Sequence, residues 1–259
     1  MKLVALITDF GQRDTYVAEL KLALWRHGPP DLSLLDVTHD IPPGDIAAAG
    51  WVLQRIWRQT PPHTVHLGVV DPGVGTARPA LAVQAGDRFF VGPGNGLAAF
   101  LAATPDLRVV RLDATALQPP PGLSGASTFH GRDLFAPAAA HLAAGRPLAD
   151  LGAPGGAADL GQELLATTAA TVVWIDRFGN LITNVPRTGD QGRRLDAGAT
   201  LTVAGHPVRG PVAAFAEAAT DELVWYWGSG DTLEIALDGA SAAMLLEARV
   251  GLVFRLPTS

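Results

Sequence analysis

The chain of 259 residues contains no cysteine, which excludes disulfides, thiolate nucleophiles and Cys-ligated zinc. It also lacks any basic run, and its formal net charge is −6. No nucleic-acid or membrane-surface partner is therefore expected, and mild acidity suits a cationic or neutral small ligand. No apolar stretch reaches the ~18 residues of a membrane span. The start, MKLVALITDFG, has only five apolar residues between Lys2 and Thr8, too few for a signal-peptide core. A soluble cytoplasmic protein is expected. Repeats of solenoid period and long low-complexity tracts are missing too.

What is present is apolar. Hydrophobic residues make up 48% and charged residues 17%, which argues against disorder. The length suffices for one large domain or two modest ones. In the first half, strand signals (3–7, 34–37, 64–70, 81–83, 89–91, 108–112) mix with helix signals at 14–27, 45–58, 96–102 and 133–144. Asp14 and Asp45 are placed to cap the first two helices, and Gly28 and Gly145 to stop the first and last. This spacing predicts an α/β domain over residues 1–152, with a largely parallel sheet flanked by helices. A Gly/Ala/Pro-rich stretch follows, expected as a linker over 153–165. Short strand signals from 171 to 256 then predict a smaller antiparallel β domain, barrel-like, over 166–259.

Ligands of open parallel sheets bind beyond the carboxyl ends of the strands. Asp9, Asp40 and Asp71 follow the first, second and third strand signals. Each alone suits a turn; three at equivalent positions point to a site. In VVDPGVGTARPA the glycines are expected to bend the loop so that Arg78 returns toward Asp71. Because the loop is polar, neither residue is expected to matter for folding. In GASTFHGRD, His130 stands just before a helix, where free amides and the dipole favour a neutral imidazole. Arg132 and Asp133 are expected only to pair with each other.

GPGNG at 92–96 alternates its glycines and does not match GxGxxG, so a tight turn is the preferred reading. His39, His63, His66 and His141 lack metal-ligand spacing, and no metal is predicted. In WIDRFGNLITN, Asp176, Phe178 and Asn180 crowd a strand end. Asn180 is able to pair with a heterocycle edge and Phe178 to cover its face; a plain hairpin turn fits the same residues equally well.

TDFG…DxYV near the N-terminus, DPGVGTxR, FHGRDxFAPAAAxL and IDxFGNLxTN appear together and in order. On these motifs the chain resembles the S-adenosyl-L-methionine hydrolases (adenosine-forming), the SAM hydroxide adenosyltransferases, relatives of the fluorinase and chlorinase. The resemblance spans residues 3 to about 237. It implies an α/β domain followed by a β-rich one, a homotrimer with sites between neighbouring subunits, and no cofactor. It also implies cleavage of S-adenosylmethionine by water at C5′. The family's water-handling triad falls on Asp71, Arg78 and His130. Asp9 would hold the ribose hydroxyls, Asp14 and Asp176 the methionine ammonium, and Ser229 would lie near the carboxylate. Asn180 would read the adenine edge between Phe178 and Phe215. Halogenating relatives carry an Arg after the Ser, where this chain has Gly230, and a Trp near the sugar, where it has Gly44. They replace the loop aspartate by an aromatic and use a small hydroxyl residue for halide; here stand Asp71 and Gly131. Two alternatives accompany hydrolysis: a halide-dependent adenosyltransferase, and a non-catalytic protein that binds adenosine or S-adenosylmethionine.

Overall fold

The computed structural model describes residues 2–114, 128–164, 169–197, 201–213 and 217–256. The chain divides into two compact units, Met1–Leu164 and Leu165–Ser259.

The first unit is an α/β unit. Its elements are β1 (Lys2–Thr8), α1 (Tyr16–His27), β2 (Leu32–Thr38), α2 (Ile46–Trp57), β3 (Val65–Val69), β4 (Ala80–Ala85), β5 (Arg88–Pro93), β6 (Arg108–Leu112), α3 (Ala136–Ala143) and β7 (Gly152–Pro154). They form one seven-stranded sheet in the order β2-β1-β3-β5-β4-β6-β7. The four strands β2, β1, β3 and β5 run parallel. β4 joins β5 through a two-residue connection, Gly86-Asp87, so it must return antiparallel, and β6 and β7 continue that pattern. Within the stretch expected as a linker, β7 extends the first unit's sheet and a 3₁₀ turn, Ala157–Leu160, follows it.

Burial explains the layering. β1 is apolar on both faces and buried from Leu3 to Thr8, as a central parallel strand covered on both sides must be. Val4 and Leu6 point into one core with Leu20 and Leu24 of α1, Val65 and Leu67 of β3, and Ala139 and Leu142 of α3. The intervening residues, Ala5 and Ile7, face the opposite side, where α2 lies against β1 and β3. Asp45 caps α2 as its sequence suggested, accepting from the Ala48 amide at 2.9 Å. Asp14 does not cap α1. The helix starts at Tyr16, its N-cap is Thr15, and the Thr15 hydroxyl turns to Glu19 instead.

The second unit holds β8 (Ala170–Ile175), β9 (Leu181–Pro186), α4 (Asp190–Asp196), β10 (Leu201–Val203), β11 (His206–Val208), β12 (Leu223–Trp227), β13 (Thr232–Leu237), α5 (Ala242–Leu245) and β14 (Val253–Phe254). Five strands form an antiparallel sheet, β12-β13-β9-β8-β14, around buried Trp225, Leu181, Leu233 and Ile235. β10 and β11 form a separate hairpin, tied to the sheet by bridges at Thr202–Arg255 and Arg209–Val224.

Candidate active site

The parallel half of the first sheet positions a cleft of about 360 Å³, within the size range of ligand pockets. Asp9 follows β1, and Asp71 lies two residues beyond β3. Both line the cleft with Phe10, Gly44, Phe129 and His130. Asp40 does not join them: it is exposed after β2, and its amide donates to Thr38 Oγ1. The neighbouring His39 is buried, with Nδ1 2.8 Å from Thr8 Oγ1.

The loop after β3 folds back on itself. The Val74 amide donates to the Asp71 carbonyl and the Thr76 amide to that of Gly73, at 3.1 Å each. Gly75 takes φ +79°, which a side chain would resist. The reversal brings Arg78 back onto Asp71. Nε donates to Oδ1 at 2.9 Å and Nη2 to Oδ2, a bidentate fork. Nη2 also donates to His130 Nδ1 at 3.0 Å, across 52 residues of sequence. The guanidinium lies 5.3 Å from the centroid of the Phe135 ring. GPGNG ends β5 with Gly92 and Pro93 and bends only from Gly94 to Gly96, where Asn95 Nδ2 donates to the Val70 carbonyl at 2.9 Å, just ahead of this loop.

The pair is not a surface ornament. The side chains of Asp71 and Arg78 are only 5% and 10% exposed, so removing either leaves the other buried and uncompensated. The expectation that neither matters for folding is corrected on that ground. Arg78 is absent from the cleft's lining: Asp71 and His130 face the space, and Arg78 holds both from behind. Burial, then the Arg78 charge, lowers the His130 pKa below its ordinary value, against the opposing pull of Asp71 and Asp133. An arginine only donates, so His130 Nδ1 must accept, and the neutral ring carries its proton on Nε2.

His130 itself precedes a π-helical turn, Gly131–Phe135, that runs into α3. A Cβ at Gly131 would stand 3.3–3.4 Å from Phe129, Phe10 and Val69, so the backbone is tightly enclosed here. Two contributors were not legible from residue type. The Gly44 amide donates to Asp9 Oδ2 at 2.9 Å, and Phe129 meets Phe10 and Tyr16 edge-on at 5.7 and 5.5 Å beside the cleft, while Phe10 and Tyr16 are tilted to each other at 5.9 Å. Pro42-Pro43-Gly44, a turn closed by the Asp45 amide on the Pro42 carbonyl, could have signalled the first; nothing local signalled the second.

Of the remaining predicted residues, Asp14 is exposed before α1 and does not line the cleft. In the second unit, Asp176 organises its own turn. Its Oδ1 accepts from the Phe178 and Asn180 amides and its Oδ2 from Asn180 Nδ2, all at 2.9 Å. This leaves Asn180 Oδ1 and a second amide proton for another partner, beside Phe178, which is 71% exposed. Gly179 at φ +86° packs so closely on Ser241 that a Cβ would sit 2.0 Å from its Oγ. Ser229 is exposed in the turn after β12. Phe215 lies outside the described residues. Among the described residues, no three His, Asp or Glu side chains converge as a metal site would need.

An α/β unit with a cleft lined by Asp9 and Asp71 over its parallel strands, followed by an antiparallel β unit, defines a two-unit protein with a candidate small-molecule site. The chain belongs to the SAM hydroxide adenosyltransferase family: the model of that family's N-terminal domain matches residues 4–152 and that of its C-terminal domain residues 170–255. It is 38% identical to the (R)-S-adenosyl-L-methionine hydrolase of Thermus thermophilus, covering 99% of this chain and all of the relative. The hydrolase of the same name from Salinispora tropica is 39% identical over 94% and 93% of the two chains. Fluorinases are more distant, with that of Actinoplanes sp. 25% identical over 72% of each chain. A crystal structure of a conserved protein from Thermotoga maritima superimposes with a TM-score of 0.82 at 30% identity, over 97% of this chain and all of that one.

Proposed function

We propose that this protein hydrolyses S-adenosyl-L-methionine at C5′, giving adenosine and L-methionine. The observation that carries the reading is Asp71 and His130 facing one cleft with Arg78 locked behind both. The names of the full-length relatives point to the same reaction.

The chemistry follows. A C5′–O bond forms as the C5′–S bond breaks, and the sulfonium sulfur takes the electron pair and leaves as neutral methionine. Such a leaving group needs no general acid; the demand falls on the nucleophile. His130 presents Nε2–H, a donor that fixes the water oxygen, and Asp71 is the acceptor left to take its proton. Arg78, permanently charged, holds both groups in place and favours the hydroxide that develops. Orienting water in line with C–S supplies a further share of the rate. A cationic sulfonium suits a cleft walled by Asp9 and Asp71, whereas a halide ion there would meet two carboxylates.

The remaining roles rest on the family's pattern. Asp9 holds the ribose hydroxyls, Asp14 and Asp176 the ammonium, Ser229 the carboxylate end, and Asn180, Phe178 and Phe215 the adenine. The protein is further read as a cytoplasmic homotrimer without cofactor, with sites between neighbouring subunits. Turnover in H₂¹⁸O tests the reading: mass spectrometry should find ¹⁸O in the 5′-hydroxyl of adenosine. A 5′-halo product formed only with added halide would overturn it in favour of a halogenase. Tight binding without turnover would make the protein a binder.

A further inference from the structure

Arg132 stands two residues beyond His130 and does more than pair with its neighbour. Its Nε and Nη2 fork onto the Asp133 carboxylate at 2.6 and 2.9 Å. Its Nη1 reaches Glu19 of α1 at 2.8 Å, across 113 residues of sequence. Glu19 is in turn fixed by the Thr15 hydroxyl at 2.7 Å. The guanidinium also lies 5.0 Å from the centroid of Phe129, a wall of the cleft, and Phe129 meets Phe10 and Tyr16 edge-on. One cation thus ties the start of α1, the aromatic wall and the π-helical turn that presents His130. The side chains of Arg132 and Asp133 are 13% and 7% exposed, so this charge pair is set well inside the protein.

We propose that Arg132 is a positioning residue for the reaction: it clamps the segment that carries Phe129 and His130 onto α1 and shields the His130 ring from the Asp133 carboxylate. The inference rests on the reading of His130 as part of the water-handling group. Five charged groups surround that ring or its clamp. Arg78 and Asp71 come from the loop after β3, Glu19 from α1, and Arg132 and Asp133 from the turn itself; Asp9 lines the same cleft. The Arg78 charge opposes protonation of the ring, and the carboxylates of Asp71 and Asp133 favour it. Without Arg132 the Asp133 carboxylate acts on the ring undiminished. A protonated ring has no acceptor at Nδ1, so it loses the bond from Arg78.

The test is the titration of the His130 ring, followed by NMR in the full-length protein. It is read beside the pH profile of kcat for adenosine formation. In Arg132→Met the titration and the acid limb of kcat should both move to higher pH, by about one unit. Adding Asp133→Asn should return both toward wild type, and Arg132→Lys, which keeps the charge, should move them least. A titration in Arg132→Met that coincides with wild type, or a shift that Asp133→Asn does not reverse, overturns the proposal and leaves Arg132 a purely structural clamp. Should Arg132→Met not fold, Arg132→Gln, which keeps amide donors without the charge, decides: the titration moves to higher pH, or the proposal fails. The ring titration needs no turnover, so an inactive wild type would count against hydrolysis and leave this test standing.

Discussion

Arg78 Nη2 is shared between Asp71 Oδ2 and His130 Nδ1, so one guanidinium holds a carboxylate and an imidazole that come from distant parts of the chain. The consequences concern catalysis and folding together. Asp71→Ala and Arg78→Ala should each lower kcat by at least about 100-fold, the lower end of general-base effects. Each should also destabilise the fold by about 3 kcal/mol, as breaking a buried pair does. The double variant should be less destabilised than the sum of the two. Urea unfolding of the four proteins checks this; strict additivity of stability losses would show that the pair is not coupled.

The same contact predicts the acid limb of the activity. His130 is held neutral by burial and by Arg78, its pKa lowered below the ordinary value. Activity that needs the Nε2–H, Nδ1-accepting ring should therefore persist below pH ~6.5, the unperturbed imidazole value, and fall only as the ring protonates. A kcat profile from pH 5 to 8 measures it. An acid limb centred above pH ~6.5 would contradict the arrangement.

A third expectation concerns Gly179, in the turn that Asp176 organises. Alanine there meets Ser241 at contact distances no real Cβ shows and takes an unfavourable φ. On the proposed role of this turn in holding substrate, Gly179→Ala should raise KM at least about tenfold, more than it lowers kcat. Ser241→Gly in the same chain should restore part of the loss, since the backbone strain remains. Steady-state kinetics of the single and double variants decide.

His66 supplies a stability prediction with a definite sign. Burial pushes its pKa down to about 4, while Nδ1 donates to the Phe89 carbonyl. The unfolded chain binds a proton that the folded one refuses, so this contribution is complete above pH ~6.5 and is lost as pH falls toward 4. His66→Gln should make the fall in unfolding free energy between pH 7 and pH 4.5 smaller by about 2 to 3 kcal/mol, measured by urea titration.

Much of this was legible in one dimension. The apolar runs of β1 and β3 announce buried parallel strands, and Asp45 announces the start of α2, because burial and capping are local requirements. The loop glycines foretell that Arg78 returns to Asp71, since seven residues with Gly at φ +79° form a reversal. Asp14 illustrates the limit. Its residue type suits a cap, yet Thr15 holds that position, because the helix register answers to the packing of Val17, Leu20 and Leu24. Asp40 is another case, equivalent to Asp9 in sequence but left exposed outside the cleft. Arg132 and Asp133 read as a local pair, and nothing near them in sequence points to Glu19.

The sequence by itself determined most of the strands and the first two helices, the alternation behind the parallel half of the sheet, and the motifs on which family membership rests. These depend on short-range periodicity and on residues in fixed order. Only the tertiary structure decided that Arg78 stands behind Asp71 and His130, which tautomer the imidazole takes, and that the charge pair is buried. Those are matters of which groups are left to face each other once water is excluded, and that is settled by the packing of β3 and the π-helical turn, segments separated by the 61 residues 70–130.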